Sequence, residues 1–287
     1  MINRMMKDSG SKAYIKDLGR LDRSALSSEI TTISDVSYIT DDDTEHTLDI
    51  YFRNDGIEKP VLIDIHGGGF ISQDKKIDSV FANVMAQNGF VVFALNYRLA
   101  YPEYTVFDQI EDIDKASRWI YKNASAYEGD AGDLYLAGHS SGGVNAVAEC
   151  LLSISPDMLS DYGFGKRDYM YNGLLLDCGL MHFYKNSIAY NGMRSMVFPK
   201  GYKKDVRYKY LVFAENLEIS RLPKTAVITN ESDELKDMSF YFDGLLKSKN
   251  VERILFGTGS KGHMGMIFEP KSEGMRLISE VADYLKG

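Results

Sequence analysis

Residues 134–143 read LYLAGHSSGG, and the fold can be read outward from them. Four apolar residues suited to a buried strand run into Gly138-His139-Ser140-Ser141-Gly142, and a helical pattern continues to about Leu152. A Gly-x-Ser-x-Gly placed between a strand and a helix forces a tight turn with the serine at its apex. Residues two before and two after the serine crowd each other there, and glycine lacks the Cβ that would clash. The Ser140 hydroxyl then stands clear of the sheet. The helix that starts behind it aims free N–H groups and its dipole at the space where negative charge would develop. Taken alone, the turn also suits an ordinary helix start with Ser140 as the N-cap.

The same rhythm runs through most of the chain. Strands are expected at 46–53, 61–65, 90–95, 134–137, 173–177, 225–229 and 252–256, and helices at 77–88, 108–121, 141–152, 233–248 and 272–286. Helical potential also lies around Leu21 to Glu29. Short, continuously apolar strands alternating with amphipathic helices imply βαβ units, hence a mostly parallel sheet covered on both faces. In such sheets, sites form in loops beyond the carboxyl ends of the strands.

Composition narrows the function. The chain has 287 residues and a net charge of −8, with 44% hydrophobic and 26% charged residues, as in ordinary globular proteins. That length admits one α/β domain or two smaller ones. The acidic balance argues against a nucleic-acid partner. No apolar run approaches the ~18–20 residues of a membrane span, and residues 1–8 do not read as a secretory signal. The two cysteines, Cys150 and Cys178, form no CxxC and read as small buried hydrophobes in a reducing cytoplasm. No metal or cofactor is expected, since no H-E-x-x-H, clustered His/Cys or dinucleotide fingerprint occurs. A homodimer stays open.

The loops supply the remaining candidates. After the strand at 61–65 comes His66-Gly67-Gly68-Gly69-Phe70. Three glycines free the backbone to turn N–H groups toward an oxyanion, as acyl transfer requires. The donors expected are those of Gly68 and Gly69, joined by Ser141 after the nucleophile. His66 reads as a residue that orients the loop. Of five histidines, only His182 and His263 follow Ser140 in the chain, and His263, in a Gly-rich loop after the last strand, is preferred as general base. The acid belongs in the loop after the strand at 225–229, where Glu231, Asp233 and Asp237 all qualify. Residues 181–222 break the strand–helix rhythm and carry eight basic and three acidic residues with eight aromatics. An insertion of that length suggests a lid or binding element.

Together these segments resemble the hormone-sensitive-lipase-like branch of the α/β-hydrolases, the small carboxylesterases and acetyl esterases. The resemblance rests on HGGGF at 66–70, NYRLAYPE at 96–103, LAGHSSGG at 136–143, TNESDELKD at 229–237 and the His263 loop, and covers roughly residues 46–286. In that family the acid occupies an Asp-x-Leu, which matches Asp233-Glu234-Leu235 and selects Asp233. The family's oxyanion glycines match Gly68 and Gly69, and Tyr97 and Arg98 match a structural motif. The chain departs at His139, where an acidic residue is usual, and at Ser141, where alanine is usual. His139 is similar to the GHS form of the feruloyl-esterase and kynurenine-formamidase branches.

The resemblance implies a single α/β-hydrolase domain over 1–287, with a mostly parallel eight-stranded sheet, helices on both faces and a small cap from 1–30 and 181–222. It implies a serine hydrolase of short-chain carboxylic esters with catalytic Ser140, Asp233 and His263, acting on a small-molecule ester. An amide hydrolase of the formamidase type and a non-catalytic ligand-binding relative are the other readings. In the cap, Phe183, Tyr184, Tyr190 and Phe198 are expected to wall an acyl or aryl pocket, and the basic residues to attract negatively charged substrates.

Overall fold

The computed structural model describes residues 12–182, 187–258, 262–268 and 274–287. Helix α1 spans residues 12–20. Strands β1 (Thr31–Ser37), β2 (Thr47–Phe52) and β3 (Lys59–Ile65) follow, then helix α2 (Ser79–Gln87), β4 (Val91–Leu95), α3 (Val106–Asn123) and β5 (Gly129–His139). After these come α4 (Ser141–Ile154), α5 (Pro156–Tyr162), β6 (Gly173–Asp177), α6 (Ile188–Val197), β7 (Lys224–Asn230), α7 (Lys236–Ser248), β8 (Arg253–Thr258), α8 (Gly265–Phe268) and α9 (Met275–Lys286).

The eight strands form one sheet in the order β1-β2-β4-β3-β5-β6-β7-β8. Only the β1–β2 and β2–β4 pairs are antiparallel. The parallel strands are apolar on both faces because both faces are covered. Ile63, Leu136 and Leu176 face the layer that holds α3, α4 and α7. Leu62, Tyr135 and Leu175 face the layer of α2, α8 and α9. This period-2 division of unbroken apolar runs is the signature of a doubly covered sheet. Among the described residues, no helix is long and apolar enough to cross a membrane.

Three features differ from the sequence expectation. Strand β1 carries no apolar run, because it is an edge strand whose side chains are half-buried or exposed, and a bulge at Asp35 (φ 57°) shifts its register between Ile33 and Val36. The helical potential at Leu21 to Glu29 yields only a short 3-10 turn, Arg23–Ala25, with the helix lying earlier, at 12–20. The helix expected at 233–248 begins at Lys236, because the preceding residues form a loop that presents Asp233.

The turn between β5 and α4 is packed to contact. A Cβ on Gly142 would lie 2.2 Å from the Ile65 carbonyl oxygen and 2.3 Å from that of His66, both backbone atoms at the end of β3. Gly142→Ala must push α4 away from β3. It should cost about 1–3 kcal/mol, as overpacking does, seen as a lower urea midpoint with unchanged slope. A variant as stable as the parent would show that this approach is not tight.

Candidate active site

Ser140 sits at the apex of that turn with φ 53° and ψ −117°, far from helical or extended values. Its N–H donates to the Asp177 carbonyl (2.9 Å), and its own carbonyl accepts from the Leu180 N–H (2.9 Å), so β6 and the loop after it clamp the apex. Glycine is required beneath it: a Cβ on Gly138 would lie 2.6 Å from the Gly142 carbonyl oxygen.

The structure brings His263 and Asp233 to this serine. The Ser140 hydroxyl donates to His263 Nε2 at 2.8 Å, and His263 Nδ1–H donates to Asp233 Oδ1 at 2.9 Å. Asp233 is buried while His263 keeps a third of its side chain exposed. Two bonds tie the acid loop to the histidine loop: Asn230 Nδ2 donates to the Gly262 carbonyl (2.7 Å), and Gly262 N–H donates to Ser232 Oγ (2.8 Å). Burial alone would raise the Asp233 pKa, but the bonds from His263 and from the Leu235 N–H outweigh it and hold the carboxyl below its ordinary value. Its contribution to stability is therefore complete above the unfolded value of ~3.9 and is lost only as pH falls through the lower folded one. The Cys178 thiol lies beside the acid, and burial, together with Asp177 and Asp233, raises its pKa well above normal.

The glycine loop after β3 is held from several sides. Gly68 adopts φ 97°, and a Cβ there would fall 1.8 Å from the Ser72 carbonyl oxygen. Gly69 also has positive φ, at 61°. Phe70 N–H donates to Ser141 Oγ (3.0 Å), while the Phe70 carbonyl accepts from Ala100 N–H (2.8 Å) and Gln109 Nε2 (2.8 Å). Ser141 is the first residue of α4, so its own N–H lacks an intrahelical acceptor. His66 is buried, stacked on Tyr97 at 4.3 Å, and its pKa is lowered by burial to about 4, so it is neutral. It supports the loop rather than accepting protons.

Sequence reasoning missed Gln109, Asn145 and the side chain of Ser141. Asn145 donates to Gln109 Oε1 (3.2 Å), which completes a buried chain from α4 through α3 to the Phe70 carbonyl. The unusual serine after Ser140 was the one visible signal. The other candidates make different contacts. His182 stacks on Tyr241 (4.0 Å), Glu231 pairs with Lys236 on the surface, and Asp237 is exposed in the first turn of α7.

The segment 181–222 differs from its expected role in part. Phe198 is buried against Phe107, Tyr202 and Tyr208, so it belongs to the core and not to a pocket wall. Tyr190 is half-buried at the start of α6. Phe183 and Tyr184 lie outside the described residues, as do residues 1–11 of the expected cap. Part of the positive charge is already paired: Arg207 with Asp205, Lys209 with Asp161, Arg221 with Glu218. Residues 12–20 do contact the stretch after the glycine loop and helix α8, with Gln73 donating to Asp17 and Arg20 over the Phe268 ring.

A hydroxyl, an imidazole and a buried carboxylate in line above a parallel sheet define a protein of the α/β-hydrolase fold. Residues 48–162 match the family model described as BD-FAE. The chain is 32% identical over 118 residues to the isoprenylcysteine alpha-carbonyl methylesterase ICME of Arabidopsis thaliana, which covers 40% of this chain and 27% of that protein. It is 32% identical over 113 residues to phenmedipham hydrolase of Pseudarthrobacter oxydans, covering 36% and 22%. The chain thus spans only about a quarter of the length of these curated relatives. Its fold matches esterase B from Lactobacillus rhamnosis with a TM-score of 0.87 at 19% identity, over 99% of this chain and 93% of that one. It matches the esterase from Pyrobaculum calidifontis at 0.75 and 21%, over 99% and 92%. The family model covers less than half of the chain, and the likeness to the solved structures shows the fold, that of the α/β-hydrolases.

If Asp233 orients His263, Asp233→Asn should lower kcat/KM by roughly 10³-fold or more through the wrong imidazole tautomer, while Glu231→Gln and Asp237→Asn stay near the parent. The reverse ranking would move the acid. The high pKa of Cys178 and the burial of Cys150 also make a second prediction. Both thiols should react with a disulfide reagent only on unfolding. Rapid labelling of the native protein would contradict the burial.

Proposed function

We propose that this protein hydrolyses carboxylic esters of small molecules through a covalent acyl-enzyme on Ser140. The observation that carries this reading is the hydrogen-bonded line from Ser140 through His263 to Asp233. The Ser140 hydroxyl oxygen attacks the acyl carbon while His263 Nε2 takes its proton. The carbonyl oxygen becomes an oxyanion, and the N–H groups of Gly68, Gly69 and Ser141 are the donors assigned to it. Collapse breaks the ester bond, and His263 returns the proton to the departing alcohol. Water, deprotonated by His263, then attacks the acyl-serine, and the acid leaves as Ser140 recovers its proton. Asp233 stays ionised throughout, fixing the tautomer and steadying the transient imidazolium.

The proposed cap consists of residues 1–30 with 181–222. Its support is positional: residues 12–20 touch Gln73, in the loop after Gly68, and Phe268, in the short helix after His263, and α6 follows the strand whose end clamps Ser140. A cap limits the room for the acyl chain, so short acyl groups are the proposed substrates. Two free, buried cysteines suit a reducing cytoplasm as the place of action.

A series of p-nitrophenyl esters tests this. kcat/KM should be highest for acetate and butyrate and fall steeply by the decanoate. Ser140→Ala should lower kcat by on the order of 10³-fold or more. Near-native turnover by Ser140→Ala would dismiss the nucleophile, and a preference for long chains would dismiss the cap.

A further inference from the structure

Beneath the serine turn, on the α2 face of the sheet, three carboxylates and an imidazole are enclosed together. Asp64 comes from β3, His139 from β5, Asp177 from the end of β6, and Asp78 from the residue just ahead of α2. All four are 1% exposed or less. The Phe81 ring packs edge-on against His139 at 4.7 Å. His139 Nδ1 lies 3.1 Å from Asp177 Oδ2, and Nε2 lies 3.0 Å from Asp64 Oδ1. The ligand atoms of Asp64, Asp78 and His139 all fall within 4.8 Å of one another.

Charge and hydrogen bonding are both incomplete here. Among the described residues, no lysine or arginine pairs with these carboxylates; the only ion pairs they make are to His139. Both carboxylate oxygens of Asp78, Oδ2 of Asp64 and Oδ1 of Asp177 have no hydrogen-bond partner. Three carboxyl groups share one imidazole here, and a second or third negative charge among them would lack a partner and cost several kcal/mol. Buried charges of this kind are ordinarily paired or coordinate a metal.

We propose that Asp64, Asp78 and His139 bind a divalent metal ion, with Asp177 as the outer carboxylate that orients His139. In an octahedral shell two ligand atoms each ~2.1 Å from the metal and at right angles sit about 3.0 Å apart, so the Nε2–Oδ1 separation of 3.0 Å, now a hydrogen bond, already suits adjacent ligand positions. His139 Nδ1–H donating to Asp177 while Nε2 faces the metal is the carboxylate–histidine–metal arrangement that fixes a ligating imidazole. One nitrogen and two oxygen ligands, with no sulfur, suit Zn²⁺ or Mn²⁺. Neighbours in sequence could not reveal this set, because its members come from positions 64, 78 and 139. The ion would join β3, the α2 entry and β5 directly, and β6 through Asp177, beneath both the glycine loop and Ser140.

The test uses the full chain, stripped with a chelator and then offered ZnCl₂ or MnCl₂, with bound metal measured by mass spectrometry and Tm by calorimetry. The expected result is about one tightly held ion per chain and a rise in Tm, as ligand linkage requires. Asp78→Asn should weaken binding at least about tenfold, yet match or exceed the stability of the stripped parent, because a buried carboxyl with no hydrogen-bond partner is gone. Cys178→Ala, which alters the other buried group able to hold a metal, should bind as the parent does. Absence of bound metal and of any Tm shift in the parent would overturn the proposal. So would equal binding by Asp78→Asn, or loss of binding in Cys178→Ala.

Discussion

At Ser140 the chain is held at φ 53° and ψ −117°, a conformation that an L-residue adopts only under compulsion. Such a residue costs of order 1–3 kcal/mol and persists because its surroundings over-determine it. Here the surroundings are specific. Strand β5 delivers the serine, α4 removes the chain at once, and the hydrogen bonds to Asp177 and Leu180 hold the apex from the next strand. The glycines at 67, 138 and 142 admit backbone within distances that a side chain would forbid. The strain has a product: the hydroxyl points away from the sheet, and the first N–H of α4 is left without an internal acceptor.

The rest of the site follows from tying two loops to this fixed point. The glycine loop is bound to α4 through Ser141 Oγ and to α3 through Gln109, so its glycines keep a fixed place beside Ser140. The histidine loop is bound to the acid loop through Gly262. Each loop carries glycine, and polar contacts from elements packed in the sheet hold the described part of each. Preorganisation of that kind is what lets fixed dipoles stabilise developing charge without rearranging.

Much of this was legible in the sequence, for physical reasons that vary by residue. Buried parallel strands announce themselves as unbroken apolar runs, so β3 to β8 were visible, whereas β1, an edge strand with a bulge, was not. The serine turn is a local steric problem, and local steric problems leave glycines at fixed spacing. The choice of acid was not legible from position, since Glu231, Asp233 and Asp237 share one loop; a family resemblance was needed to choose Asp233, the one that the structure sets against His263. Phe198 was misread because an aromatic in an irregular segment looks alike whether it lines a pocket or fills the core. The grouping of Asp64, Asp78, His139 and Asp177 arises only when four elements converge, and no local pattern encodes it.

Peptide mapping after reaction with a small fluorophosphonate tests the role of Ser140 itself. The geometry predicts a single adduct per chain, on the peptide that contains Ser140, lost in Ser140→Ala and much slowed in His263→Ala. A native, folded protein that forms no adduct, or forms it on another residue, would contradict the account.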